Sequence, residues 1–154
     1  MRVLHIITGL DDGGAEAVLY RMCKLDKECQ HIVISLQGQG KQKYVSLLQK
    51  CNISVHTLNF SKTRINIFGL FKLFKLIRQL KPDVVQTWMP HADLIGGVMA
   101  RIVGVKNIFW GIHHTNLIKG KINRIVVIIN KLNAILSSFV PTKIIYCAEK
   151  SREA

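Results

Sequence analysis

The stretch Lys81-Pro82-Asp83-Val84-Val85-Gln86-Thr87-Trp88-Met89-Pro90-His91-Ala92-Asp93 decides the fold. Before it lies a run with helical period, residues 66–80. Pro82 disfavours helix in the residue ahead of it, so the helix ends there. Residues 84–87 then form a short, Val-rich run that is apolar on both faces, the pattern of a strand covered by helices on two sides. After Trp88 the helical period resumes, over residues 92–103, and Gly104 stands where a helix-ending glycine belongs.

The same alternation extends in both directions. Short apolar runs occur at 3–8, 32–36, 53–58, 107–112 and 143–147, and helical stretches at 14–24, 42–50 and 122–138. Strand and helix alternating in this way predict an α/β, Rossmann-like doubly wound parallel sheet, with six strands in the order 3-2-1-4-5-6. The 154 residues are enough for one such domain with a real core. Residues 1–148 are expected to form it. Residues 149–154 read as the start of a linker helix leading to a further domain.

Composition narrows the function classes. Apolar residues make up 49% of the chain, which excludes disorder. Formal net charge is +13, from 22 Lys and Arg against 9 Asp and Glu, so an anionic partner is implied. Nucleic acid is the weakest choice, because no helix-turn-helix or aromatic RNA-binding motif accompanies the charge. An anionic membrane surface is a stronger one: the 66–80 helix carries Lys72, Lys75 and Arg78 beside a wide apolar face and follows Lys62 and Arg64. The competing reading is that this helix is a core element. The cysteines, at 23, 29, 51 and 147, show no metal-binding spacing and fit a reducing cytoplasm. No metal is expected.

In an open α/β sheet ligands bind beyond the carboxyl ends of the strands. After the first strand comes Gly9-Leu10-Asp11-Asp12-Gly13-Gly14-Ala15-Glu16. Its paired glycines let backbone approach a phosphate or a sugar hydroxyl at a helix N-terminus. A plain tight turn is the alternative. Trp88, His91 and Asp93 follow the fourth strand, where the indole is either a sugar platform or a core residue. His113, His114 and Asn116 follow the fifth. An imidazole there can hold a hydroxyl or act as a base near neutral pH.

Taken together, Met1-Arg2-Val3-Leu4-His5-Ile6-Ile7 with Gly13-Gly14-Ala15-Glu16, the 81–93 stretch, and Phe109-Trp110-Gly111-Ile112-His113-His114-Thr115-Asn116-Leu117 resemble the N-terminal half of glycosyltransferase family 4, enzymes of the GT-B fold. The resemblance implies two Rossmann-like domains facing a cleft, with the acceptor held mainly by the N-terminal one. The nucleotide-sugar donor would be held by a C-terminal domain that lies outside this chain. It implies retaining sugar transfer without metal or other cofactor, to a glycan or lipid-linked acceptor of the cell envelope. It maps His113 to the catalytic position at the strand end. Gly13, Gly14, Glu16, Trp88, His91, His114 and Asn116 become substrate-binding residues. Such a chain is expected in the cytoplasm, peripheral to the membrane, and inactive without its donor half. A non-catalytic module for a nucleotide or an anionic partner is the alternative.

Overall fold

The computed structural model describes residues 1–38, 40, 42–61, 66–112 and 124–146. The expected linker at 149–154 lies outside them. The elements are β1 (Arg2–Ile7), α1 (Gly14–Leu25), β2 (Gln30–Ser35), α2 (Lys43–Lys50), β3 (Ser54–Thr57), α3 (Ile67–Leu80), β4 (Val84–Trp88), α4 (Pro90–Val103), β5 (Asn107–Ile112), α5 (Arg124–Leu136) and β6 (Lys143–Tyr146). The six strands form one sheet in the order β3-β2-β1-β4-β5-β6, every pairing parallel. This is the Rossmann-like topology that the sequence predicts.

Two core layers explain why the strands read as unbroken apolar runs. On one face Leu4, Ile6, Ile34 and Val85 pack under Leu73 and Ile77 of α3 and Ala92 and Ala100 of α4. On the other, Ile7, Val33 and Trp88 pack under Ala15, Leu19 and Cys23 of α1 and Leu48 of α2. Both faces of β1 are thus withdrawn from water.

Local sequence sets the junctions. Asn66 caps α3, its side chain accepting from the Phe68 amide at 3.0 Å. Gly104 closes α4 with φ +98°, a conformation that glycine adopts without penalty. Within α4, a Cβ on Gly96 would stand 2.8 Å from Ile6, and one on Gly97 would stand 2.5 Å from the Trp110 indole nitrogen. The glycine pair therefore lets α4 lie close against β1 and β5.

The layer of α3, α4 and α5 has an unusual outer surface. Phe68 is 85% exposed and Ile135 66%, and Ile67, Phe71, Ile102, Ile128 and Leu132 are exposed too. Lys72, Lys75, Arg78, Arg124 and Lys131 stand among them. The single acidic residue in the three helices, Asp93, is buried. The 66–80 helix is therefore a core element along Gly69, Leu73 and Ile77, and an exposed apolar and basic surface along the rest.

Candidate functional site

Strand order reverses between β1 and β4, so the ligand crevice of this fold lies beyond the carboxyl ends of those two strands. Thr8 leaves β1 there. Its hydroxyl oxygen is shut off from solvent and has no partner among the described residues. A buried polar atom left alone costs about 1–3 kcal/mol.

The glycine loop follows. Gly13 is the N-cap of α1, with extended backbone. Glu16, at the third position of the helix, folds back over it: a Cβ on Gly13 would stand 2.3 Å from the Glu16 carboxylate. A side chain at position 13 would displace the Glu16 carboxylate from this place. Glu16 is buried, and its carboxylate lies beside the N-cap, where an incoming anion would have to compete with it. A Cβ added to Gly14 would meet nothing within 4 Å, so the open flank of this residue is available to a ligand. The two neighbouring acids are turned aside. Asp11 accepts from the Gln42 amide at 3.2 Å, and Asp12 pairs with Lys43 at 3.0 Å.

On the β4 side the chain turns at Met89, whose φ of 78° and ψ of 152° belong to a region that is essentially glycine's. Strain of this kind concentrates at functional sites, and here it joins strand to helix within one residue. Pro90 then starts α4 with its φ pre-set for a helix. The Pro90 carbonyl accepts from Asn133 of α5 at 2.9 Å, which pins this helix start. His91 is half-buried, and desolvation lowers its pKa, so it presents a neutral imidazole.

The pairing of Asp93 with Thr87 is not evident from sequence. The Thr87 hydroxyl lies 2.6 Å from Asp93 Oδ1 and 3.4 Å from the Phe109 carbonyl. Burial raises the Asp93 pKa to about 8, against a smaller lowering from Thr87. The neutral carboxyl can donate to Thr87, which frees the Thr87 hydroxyl for the Phe109 carbonyl. A proton-bearing carboxyl thus sits beneath the β4–α4 turn.

Trp88 is placed elsewhere. It is only 2% exposed, and its indole N–H donates to His5 Nδ1 at 3.3 Å. The ring therefore packs in the core on the α1 side and offers no platform to a sugar. His5 in turn faces His31, Nε2 to Nδ1, at 3.0 Å, and His31 Nε2 lies 3.2 Å from Asp26. An indole N–H can only donate, and this fixes every direction in the row. His5 accepts at Nδ1 and donates from Nε2, and His31 accepts at Nδ1 and donates from Nε2 to Asp26. Burial depresses the His5 pKa to about 3, with His31 adding to the effect.

Cys23 lies beside these histidines, with the three ligand atoms within 4.8 Å of one another. The geometry does not suit a metal. The imidazole centroids are 5.2 Å apart, only 2.2 Å more than the nitrogens, so the rings meet end to end. A tetrahedral ion needs lone pairs that converge at an angle. Burial also pushes the Cys23 thiol up to about 12. The cluster is a hydrogen-bonded row through the core.

Of the residues expected to act on substrate, the structure brings Gly13, Gly14, Glu16 and His91 to the crevice side and takes Trp88 away from it. His113, His114 and Asn116 lie outside the described residues.

Three comparisons with known proteins bear on this arrangement. The sequence profile described as Glycosyltransferase Family 4 matches residues 12–150. No curated protein sequence matches significantly. Among solved structures, the chain is similar to Anabaena HepE in complex with UDP and glucose, with a TM-score of 0.75 and 16% identity. That match covers 99% of this chain and 40% of HepE. It is also similar to Acinetobacter baumannii MurG, with a TM-score of 0.61 and 18% identity over 97% of this chain and 41% of MurG. The chain thus spans about two-fifths of each.

Proposed function

The chain belongs to glycosyltransferase family 4, and on that premise we propose that it forms the N-terminal, acceptor-side part of a retaining sugar transferase. The donor is a nucleotide-sugar bound by a second domain, and no metal or other cofactor takes part. The acceptor is a lipid-linked or cell-envelope glycan.

The observation that carries this reading is the crevice between β1 and β4. The open flank of Gly14 and the neutral His91 imidazole suit hydroxyl groups better than a full negative charge. The Glu16 carboxylate over the N-cap favours an uncharged sugar on this side of the cleft. Transfer requires donor and acceptor held within bonding distance, which a single half of the cleft cannot do. Among the described residues no helix is long and apolar enough to cross a membrane. The apolar, basic outer layer of α3, α4 and α5 supports peripheral attachment to an anionic bilayer at the cytoplasmic face instead.

The test is turnover. The purified 154-residue chain should release no nucleotide from a panel of UDP- and GDP-sugars offered with lipid-linked acceptors. The same chain joined to its donor-binding domain should do so, and Gly14→Ala in that enzyme should raise KM for the acceptor. Turnover by the isolated chain would overturn the division of labour. Tight nucleotide binding by the isolated chain would favour a nucleotide module instead.

A further inference from the structure

The buried row of His31, His5 and Trp88 lies outside the crevice but leads to it. The three side chains stand on adjacent strands, β2, β1 and β4. His31 is level with Val3 of β1, and Trp88 is level with Ile7. The row therefore climbs four residues along β1, roughly 13 Å, from the amino edge of the sheet to its carboxyl edge. At the lower end Asp26, partly exposed, joins the row to solvent. At the upper end Trp88 closes β4, and the next residue is the strained Met89 that turns the chain toward His91.

Two fixed ends make the row directional. The indole N–H of Trp88 can only donate, and the Asp26 carboxylate can only accept. Asp26 keeps its charge in mild acid, because the Glu28 and Cys29 amides donate to Oδ1 and hold its pKa below the usual carboxylate range. Each of the three gaps in the row contains one proton, and a further one sets two donors face to face. The other titratable group against the histidines is Cys23 of α1, which burial keeps as a neutral thiol and which is coupled in turn to Cys51 beyond α2. Gln86 of β4, level with His5, and Val55 of β3 carry no titratable group.

An added proton therefore has one arrangement open to it. A His31 imidazolium donates to Asp26 from Nε2 and to His5 from Nδ1. His5 must then accept at Nε2 and carry its proton on Nδ1, where it meets the Trp88 N–H. The row holds one proton more, and an ion pair at the exposed end replaces the hydrogen bond between His5 and Trp88. The charge-assisted contact is the stronger of the two.

We propose that this row is an acid-operated latch on the β4–α4 turn: a proton taken at His31 pairs it with Asp26, reverses the proton order of His5 and unfastens Trp88 from His5 next to Met89. That an unfastened turn holds the acceptor less well rests on the function proposed above, whereas the latch rests on the row alone.

The experiment is nuclear magnetic resonance of the 154-residue chain, isotope-labelled at histidine and tryptophan, from pH 8 to pH 5. At pH 8 both imidazoles should carry their proton on Nε2. At pH 5 His31 should be doubly protonated and His5 should carry its proton on Nδ1. The Trp88 indole N–H should lose about tenfold of its protection against exchange, with far-UV circular dichroism unchanged and Trp110 as the internal control. His31→Gln keeps an acceptor for His5 and takes no proton, so its indole should stay protected at pH 5. Asp26→Asn removes the charge that draws the proton, so the change should shift to lower pH. An Nδ1 proton on either imidazole at pH 8, a His31 that stays neutral to pH 5, a Trp88 indole still protected there, or equal loss of protection in His31→Gln would each overturn the latch. In the intact enzyme KM for the acceptor should rise from pH 8 to pH 5, and rise less in His31→Gln. If the indole responds but KM rises equally in both proteins, the latch stands and its link to the acceptor falls. If the indole responds and no acceptor is glycosylated at any pH, the latch stands and the transferase reading falls.

Discussion

Replacing Asp93 by asparagine should stabilise the protein at neutral pH, and the gain should vanish in acid. The side chain is 3% exposed, its one described partner is Thr87, and burial lifts its pKa from 3.8 to about 8. The native state therefore binds a proton that the unfolded chain releases above pH 4. Because the folded pKa is the higher one, its contribution to stability is fully present below about pH 4 and is lost as pH rises through 8. At pH 7 the ceiling on that loss is about 4 kcal/mol, at 1.36 kcal/mol per pH unit. The amino end of α4 attracts the anion and reduces it, so about 2 kcal/mol is a working value. Asparagine copies the neutral carboxyl: its amide donates to Thr87 and never ionises. Urea unfolding followed by circular dichroism from pH 4 to 9 reads the effect. The two proteins should unfold at similar urea concentrations at pH 4, and Asp93→Asn should lead by about 1 M at pH 7. A midpoint difference that stays flat across this range would refute the neutral carboxyl.

Four further outcomes follow from the same structure. His5 titrates the other way: its folded pKa, about 3, lies below the usual 6.5, so its stability contribution is present above pH 6.5 and lost as pH falls through 3. His5→Gln should be less stable than the wild type at pH 8 yet lose less between pH 7 and 4, as measured by the same urea series. Gly14→Ala should keep or raise stability by about 0.5 kcal/mol, since its Cβ meets nothing, while weakening acceptor binding; Gly97→Ala should lower stability by about 2 kcal/mol through the Trp110 contact, read as thermal midpoints. Co-sedimentation with anionic vesicles should fall steeply with salt and with joint conversion of Lys62, Arg64, Lys72 and Lys75 to Gln, whereas neutral vesicles should not bind.

The sheet was legible because strands covered on both faces must be continuously apolar, and because Pro82 and Gly104 punctuate the helices between them. Helix α4 begins at Pro90, two residues before the periodicity at Ala92 declares it, since a proline in the first turn carries no apolar signal. Side-chain direction was not legible. When both faces of β4 are buried, nothing in Val84-Val85-Gln86-Thr87-Trp88 says which way the indole points. His5 and His31 are 26 residues apart and meet only through the register of β1 on β2. Thr87 reaches Asp93 because the turn at Met89 is so tight. Thr8 stands out only once its surroundings show that no described protein group answers its hydroxyl.

The separation of charge across the sheet has a kinetic meaning. The acids of the α1 and α2 side, Asp11, Asp12, Asp26 and Glu28, face away from three helices whose only acid is buried. Arg21, Lys24, Lys43 and Lys50 stand on the same side as those acids, so among the described residues the asymmetry is one of uncompensated bases over α3, α4 and α5, and it gives a dipole component across the sheet as well as a net charge. Near a negatively charged plane, net charge alone draws it inward in any attitude, whereas the dipole exerts a torque. Within a Debye length, about 8 Å at physiological salt, that torque turns α3, α4 and α5 toward the plane before any atom touches. Any such arrival would be one-sided, with the exposed Phe68 and Phe71 of α3 turned toward the plane.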